Sequence, residues 1–363
     1  MDALRYLLPA SFMLIAGSGL LLGGIGTWLG LCLFPMVAFV EYFMKDDMRL
    51  RKMGAFSGLS MLYLQLIPWV FMWYALWLFL RTDYNWWEWT GAFLSLSTIT
   101  AAVGLPVAHE LFHRRDRFSR FVGNLFAVTL MAGDIEKEHR IGHHIETSSV
   151  KDVDTPYRGE SVYGFIPKLL LFMHTAPWEL EKKRYANKNK THWTLSNPLL
   201  WAWLGFVVLV AVFVLTAGWQ AGLTVIAISG LGQAVVCIFS YVQHYGLIRI
   251  PDTPIENRHA LNHIRPLSRI LTFEIVTHSQ HHTDPTLSYW QLTPYQDVIR
   301  PGSAYGYFLL SLFPPFWHRA MKKHLAEWDE KYADADRLVP PGPPQNHGSS
   351  VFAPTPAGAH DVL

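Results

Sequence analysis

Charge is what this 363-residue chain has least of: only 16% of its residues are Asp, Glu, Lys or Arg, where a soluble protein carries about a quarter. A net charge of +2, with no basic tract interleaved with stacking aromatics, excludes nucleic acid as a partner. Cysteine is nearly absent as well. Cys32 and Cys237 are the only two and both lie inside apolar runs. That excludes a disulfide framework, a CxxC rubredoxin-like iron site and a cysteine-held iron–sulfur cluster. Any electrons this chain consumes must come from a separate protein.

Apolar residues take the place of the missing charge. Hydrophobic residues make up 51% of the chain and aromatics 14%, and the mean hydropathy is positive. A bilayer crossing needs about 20 mostly apolar residues. Runs of that kind occupy 4–22, 25–44, 56–80, 86–108, 199–217 and 221–242. The expected fold is an all-α integral membrane protein with six transmembrane helices in three hairpins. The first run has one arginine, no convincing cleavage site and a second apolar run directly behind it, so it reads as a retained span and not a secretory signal. Gly19 and Gly23 make a GxxxG spacing that permits close helix packing, or simply a turn-forming cluster. Trp86, Trp87 and Trp89 read as interfacial anchors. Residues 118–132 are apolar but short for a crossing, and read as a helix buried in protein or lying in the interface, as do 305–317. Residues 1–338 read as one domain. From 339 the chain is rich in Pro, Gly and Ser and reads as a disordered tail.

Loop charge sets the orientation. Residues 45–52 hold four Lys/Arg and 109–198 hold fourteen, whereas 81–89 hold one and 218–220 none. The positive-inside rule places the basic segments in the cytoplasm. Span parity then puts 109–198 and 244–338 on that same side, as a histidine-rich helical cap on a multi-pass protein of the bacterial inner membrane.

Three clusters in those segments carry the chemistry: His109-Glu-Leu-Phe-His113, His139-Arg-Ile-Gly-His143-His144 and His278-Ser-Gln-His281-His282. Imidazole is a good ligand for iron, copper, zinc or nickel, and pairs at i, i+3 or i, i+4 share one helix face. The first cluster matches the HExxH zinc-protease pattern literally. A metalloprotease has no use for six further imidazoles, however, and eight exceed what one ion takes. Two metals fit the count. His244, at the cytoplasmic end of span six, reads evenly as a ninth ligand or an interfacial histidine. The nearest carboxylates able to orient the rings are Glu110, Glu138, Asp154 and Glu274, each equally suited to pairing with an arginine or with water.

Across six spans, the order Hx3H, Hx3HH, Hx2HH resembles the membrane-bound non-haem di-iron hydroxylases and desaturases. Within them the likeness is strongest to the alkane monooxygenase group and its xylene monooxygenase hydroxylases. MDALRY at the N-terminus, LPVAHELFHRR (105–115), DTPYRG (154–159), LSN (195–197), QHYGL (243–247), 274–282 and LAEWDEKYA (325–333) carry it. The resemblance implies two irons held by His109, His113, His139, His143, His144, His244, His278, His281 and His282, with no bridging carboxylate from the boxes. It implies O2 as co-substrate and electrons from NADH through a separate protein of ferredoxin-reductase or rubredoxin type, for which Arg114, Arg115, Arg117 and Arg120 offer a docking face or, equally, headgroup contacts. It implies hydroxylation of a small apolar hydrocarbon, foremost the methyl group of toluene, xylene or cymene. Terminal hydroxylation of a medium-chain alkane comes next, then hydroxylation or desaturation of an acyl lipid. A metal transporter would need its histidines inside the spans. His259 and His263 share i, i+4 spacing but lie outside the family's boxes, and His174, His192, His318 and His324 match none.

Overall fold

In the computed structural model, described for residues 2–133 and 135–336 apart from the side chains of Glu136, Glu138, Ile141 and 333–336, regular structure among the described residues is entirely helical. The expected tail at 339–363 lies outside them. Six helices are long and apolar enough to cross a bilayer. They are α1 (Ala3–Leu22), α2 (Gly24–Tyr42), α3 (Ala55–Phe79), α4 (Trp86–Phe112), and, after two intervening helices α5 (Arg117–Val128) and α6 (Val162–Ala186), α7 (Pro198–Ala217) and α8 (Trp219–His244). All six expected runs are present. Two run further than apolarity alone implies: α4 continues through His109 to Phe112, and α8 reaches His244.

The α1–α2 hairpin turns on Gly23 and Gly24, at φ +68° and +53°, conformations open chiefly to glycine. Gly19 serves that turn and not a GxxxG seam: a Cβ there would lie 2.2 Å from the carbonyl oxygen of Gly26. The spans differ in their surroundings. The most apolar window of α4 is 83% buried, that of α7 only 17%, so α4 is the axis of the bundle and α7 its lipid-facing flank. Near its C-terminal end α4 takes a wider π turn at Thr100–Gly104, a device often found at functional sites.

The short apolar stretch after the first histidine cluster neither crosses nor lies flat. Tyr63 Oη sits 2.7 Å from Ser119 Oγ and the Trp69 and Phe126 rings are 4.8 Å apart, so α5 descends along α3. At its foot, Ser229 Oγ lies 2.8 Å from Thr129 O, and Gln233 Nε2 donates to Leu130 O at 2.8 Å and Met131 O at 3.1 Å. Ser229 and Gln233 stand 15 and 11 residues before the end of α8, or about 16–22 Å along it at 1.5 Å per residue. Residues 117–146 therefore form a re-entrant hairpin with its tip deep in the bundle. Irregular backbone is tolerated at that depth only where protein satisfies it. The ascending limb, helical over 135–146, returns the second cluster to the level of the first. The cap expected over 109–198 thus sits partly inside the bundle. Trp86 and Trp87 are exposed at the foot of α4, as anchors are, while Trp89 Nε1 donates to Thr224 Oγ1.

Four helices close the chain: α9 (Pro266–Leu271), α10 (His278–Thr283), α11 (Ala304–Ser311) and α12 (Pro314–Asp336). Buried Glu41 of α2 binds this segment to the bundle, accepting from Ser268 N and from the hydroxyls of Ser268 and Ser303 at 2.5–2.6 Å.

Candidate metal centre

Four elements bring the histidines together: the end of α4, the ascending limb of the hairpin, the last residue of α8, and α10. Their ring nitrogens sort into two groups, each with its ligand atoms mutually within 4.8 Å. One group is His109, His113, His139, His144 and His281. The other is His143, His244, His278 and His282. All nine histidines of the expected set are included, and none of the other six among the described residues.

This division does not follow from spacing. On an α-helix His139 and His143 would share a face. The limb instead winds as a π turn over His139–His143, whose i to i+5 bonding widens the turn. His139 therefore sides with His144, their Nε2 atoms 3.1 Å apart, and His143 turns to the other group. In α10, His278 and His282 share a group at i, i+4 while His281 faces the first.

The nitrogens stand as ligands would. Nε2 separations are 2.7 Å for His109–His139, 3.1 Å for His144–His281, 2.8 Å for His244–His278 and 3.0 Å for His278–His282. Imidazoles bonded at about 2.0–2.1 Å to one ion at right angles have nitrogens about 2.9 Å apart. His113 Nε2 is buried with no hydrogen-bond partner, its ring 4.8–5.0 Å from those of His109, His144 and His281. Burial holds His113 down at about 4 and His278 at about 3, and holds His139, His144, His281 and His282 well below the ordinary histidine range. Neutral imidazole is the ligating form. The donor set fits two divalent ions with nitrogen-rich, iron-compatible coordination.

Three rings of the four-histidine group are oriented through Nδ1. His143 Nδ1 donates to the Asp152 carboxylate at 3.2 Å, with Asp154 at 3.6 Å. His278 Nδ1 donates to Ile275 O at 2.9 Å. Thr147 spends its one hydroxyl proton on His143 O, so its Oγ1 accepts from His282 Nδ1 at 3.1 Å. Each bond leaves the Nε2 lone pair free for a metal. Asp152 and Thr147 were not legible as such: they sit 9 and 4 residues from His143 in a loop without periodicity. Burial works against the Asp152 charge, but the His143 ring together with hydrogen bonds from Thr155 Oγ1 and the Asp154 N–H outweighs it and holds this carboxyl low; burial and the Asp152 charge push Asp154 up to about 6.

Two of the expected orienting carboxylates do other work. Glu110 accepts the Tyr289 backbone N–H at 3.1 Å and touches no histidine. The zinc-protease arrangement, which needs that glutamate on the metal's water, is therefore not built. Glu274 accepts from Tyr6 Oη at 2.5 Å, from Arg51 Nε at 2.7 Å and from Arg269 Nε, an arginine partner after all. Asp154 does approach His143, while also accepting from Ser240 Oγ. The side chain of Glu138 lies outside the described residues. His259 and His263 are buried on backbone, His259 accepting the Glu256 N–H and His263 lying between Gly302 O and Val242 O. His174, His318 and His324 pair with Gln233, Tyr245 and Tyr307, and His192 lies against Trp193.

Beside the histidines lies a cavity of about 110 Å³. His109, His139, His143, His244 and His278 form one end; Ala101 and Ala102 of the α4 π turn, Leu105 just after it, Leu169 and Met173 of α6, and Val236 and Phe239 of α8 supply apolar walls. A second, open groove between α3, α5 and α7 is lined by Trp69, Trp73 and Trp77 and reaches no histidine.

Comparison with known proteins gives consistent results. The family model described as fatty acid desaturase matches residues 84–319. The xylene/toluene monooxygenase hydroxylase component XylM of Pseudomonas putida is 32% identical, covering 92% of this chain and 92% of its own length. Alkane 1-monooxygenase 2 of Alcanivorax borkumensis is 26% identical, covering 74% of this chain and 73% of its own.

Proposed function

This chain belongs to the fatty acid desaturase family, and from that premise we propose that it is a di-iron enzyme of the bacterial inner membrane that hydroxylates the methyl group of an alkyl-substituted benzene. It is a multi-pass membrane monooxygenase, an oxidoreductase acting on an unactivated C–H bond. The substrate class, the metal and the orientation are our reading.

The aromatic substrate is carried by the cavity. Apolar space on the order of 150 Å³ holds a benzene ring, and the space beside the histidines is about 110 Å³ with largely apolar walls. The space is of single-ring order, and its flexible Leu105, Leu169 and Met173 walls must yield to admit a ring that carries a methyl group. A medium-chain alkane needs a longer slot. The relatives' names span both classes, xylene and toluene on one side and alkanes on the other.

In this reading the five-histidine group holds one iron and the four-histidine group the other. Bound there, iron supplies the O2 activation that no side chain in the site performs. The chain supplies the rest. Asp152, Thr147 and the Ile275 carbonyl fix three rings in the ligating tautomer. Leu105, Leu169, Met173, Val236 and Phe239 exclude water and hold the apolar substrate at the histidine end. With two cysteines in all, the chain has no relay of its own for electrons. They come from NADH through a separate ferredoxin-reductase or rubredoxin-type protein. The fourteen Lys/Arg of 109–198 support a cytoplasmic position for the histidine end of the bundle. Arg115 and Arg117 are exposed there, while Arg114 turns to Ser288.

Metal and product analysis of the purified protein, given NADH and a reductase, tests the reading. Two irons per chain and benzyl alcohol from toluene are the expected result. Zinc alone, or substrate uptake without O2 consumption, refutes it. Terminal alcohol from octane with no benzylic product moves the substrate to the alkane class.

A further inference from the structure

Polar side chains are scarce in the spans, yet α8 carries Ser229 and Gln233 one turn apart, buried and deep below the histidines. Gln233 uses its whole amide. Both of its bonds from Nε2 go to the hairpin tip, at Leu130 O and Met131 O, while Oε1 accepts from His174 Nε2 of α6 at 3.0 Å. The tip requires this. α5 ends at Val128 and Met131 takes a left-handed φ of +52°, so these carbonyls lose their helical partners where no water can replace them. The other contacts at the tip are weaker restraints. Ser229 shares one hydroxyl between Thr129 O and Val225 O, and α7 meets the tip through small-residue packing, a Cβ on Gly133 falling 2.8 Å from Ala202 Cβ.

We propose that Gln233, braced by His174, is a positioning residue for the second histidine cluster: it latches the re-entrant tip at the depth from which the ascending limb delivers His139, His143 and His144. The limb is short and helical from Ile135, whose N–H bonds back to Ala132 O, so a shift of the tip passes directly into the histidines. Both metal groups draw on that limb, His139 and His144 for one and His143 for the other. One latch therefore governs both. It also lies beneath the cavity: Val236 stands one turn above Gln233 on α8, Met173 adjoins His174, and both are cavity walls. The inference rests on the metal-centre reading above.

Gln233→Met keeps length and volume while removing the amide. The full chain in detergent micelles is titrated with Fe(II), and separately Co(II), against a competing chelator. The unfolding temperature of the metal-free protein is measured alongside. Partners that orient metal ligands are worth about 10–100-fold in affinity, so we expect Gln233→Met to weaken both metals at least about tenfold. Ser229→Ala should cost less than about threefold, because its hydroxyl is shared between Thr129 O of the tip and Val225 O of its own helix. A merely structural glutamine would lower the unfolding temperature and leave affinity unchanged; that result overturns the proposal. So does a loss in Ser229→Ala equal to that in Gln233→Met. Should Gln233→Met fail to insert, His174→Phe is titrated instead: it frees Oε1 while keeping the Gln233 Nε2 bonds to Leu130 O and Met131 O, and unchanged affinity there overturns the latch. A wild-type chain that binds neither metal refutes the metal-centre reading itself, a different outcome from a wild type that loads metal and a variant that loads it equally well.

Discussion

His139 and His144, five positions apart, bring their Nε2 atoms to 3.1 Å while His143 between them faces another group of rings. One π turn thus lets six residues feed two metal positions. Replacing single histidines should separate the positions. In His281→Ala the five-histidine site is weakened and in His282→Ala the four-histidine site, so each variant should retain about one metal per chain and lose turnover by more than about 100-fold. Metal analysis of membrane-inserted protein reads this. Complete metal loss in both would mean that the two groups form one inseparable site.

Asp152 holds His143 in its ligating tautomer from a fully buried position. Asp152→Asn keeps the shape but no longer accepts as a carboxylate, and should weaken metal binding about 10–100-fold with the chain still inserted. Glu110→Gln, at a carboxyl that bonds only a backbone N–H, should leave metal content unchanged. Equal losses in the two would refute the assignment.

The space beside the histidines is set partly by two alanines of the π turn. Ala102→Leu fills it, so turnover of toluene should fall at least about tenfold while metal content stays at the wild-type level. Product assays paired with metal analysis check this. Undiminished turnover would place the substrate elsewhere.

Glu274 bridges Tyr6, Arg51 and Arg269, all buried. Removing one partner of a buried ion pair strands the other charge, at a cost of about 3–5 kcal/mol. Glu274→Ala should therefore show a sharply lowered unfolding temperature in micelles, and Tyr6→Phe a loss of only about 1–3 kcal/mol. A Glu274→Ala protein as stable as wild type would mean that the bridge is dispensable.

Burial, more than the neighbouring arginines, holds His259 down at about 3, and burial holds His263 at about 4. Unfolded histidine titrates near about 6.5. Below that pH the unfolded chain binds protons that the folded one refuses, so stability falls on acidification until the folded values are reached. Each of the two should cost about 1 kcal/mol between pH 7 and 5.5. His263→Gln, which cannot titrate, should flatten the pH dependence of the unfolding temperature by that share. An unchanged slope would show that His263 is free to protonate in the folded protein.

Hydropathy alone was enough to place six crossings, because a bilayer imposes one length on any helix that spans it. Their ends were less legible: α4 and α8 carry His109 and His244 on helical turns that packing, not apolarity, sustains. The eight clustered histidines were legible from their spacing, since metal coordination restricts residue type tightly, whereas His244 stood even between ligand and interfacial residue until the family resemblance was added. Other features needed the folded chain. Residues 118–132 look the same whether they lie flat, stand buried or descend and return, and it takes Ser229 and Gln233, a hundred residues away, to satisfy the backbone carbonyls where the chain turns back. Likewise Glu274 and Asp154 are indistinguishable as acids near histidines until Arg51 and Arg269 claim the first and the fold leaves the second beside His143. Residue chemistry is local and can be read in one dimension; which partner satisfies a buried polar group is decided by what the fold brings within 3 Å of it.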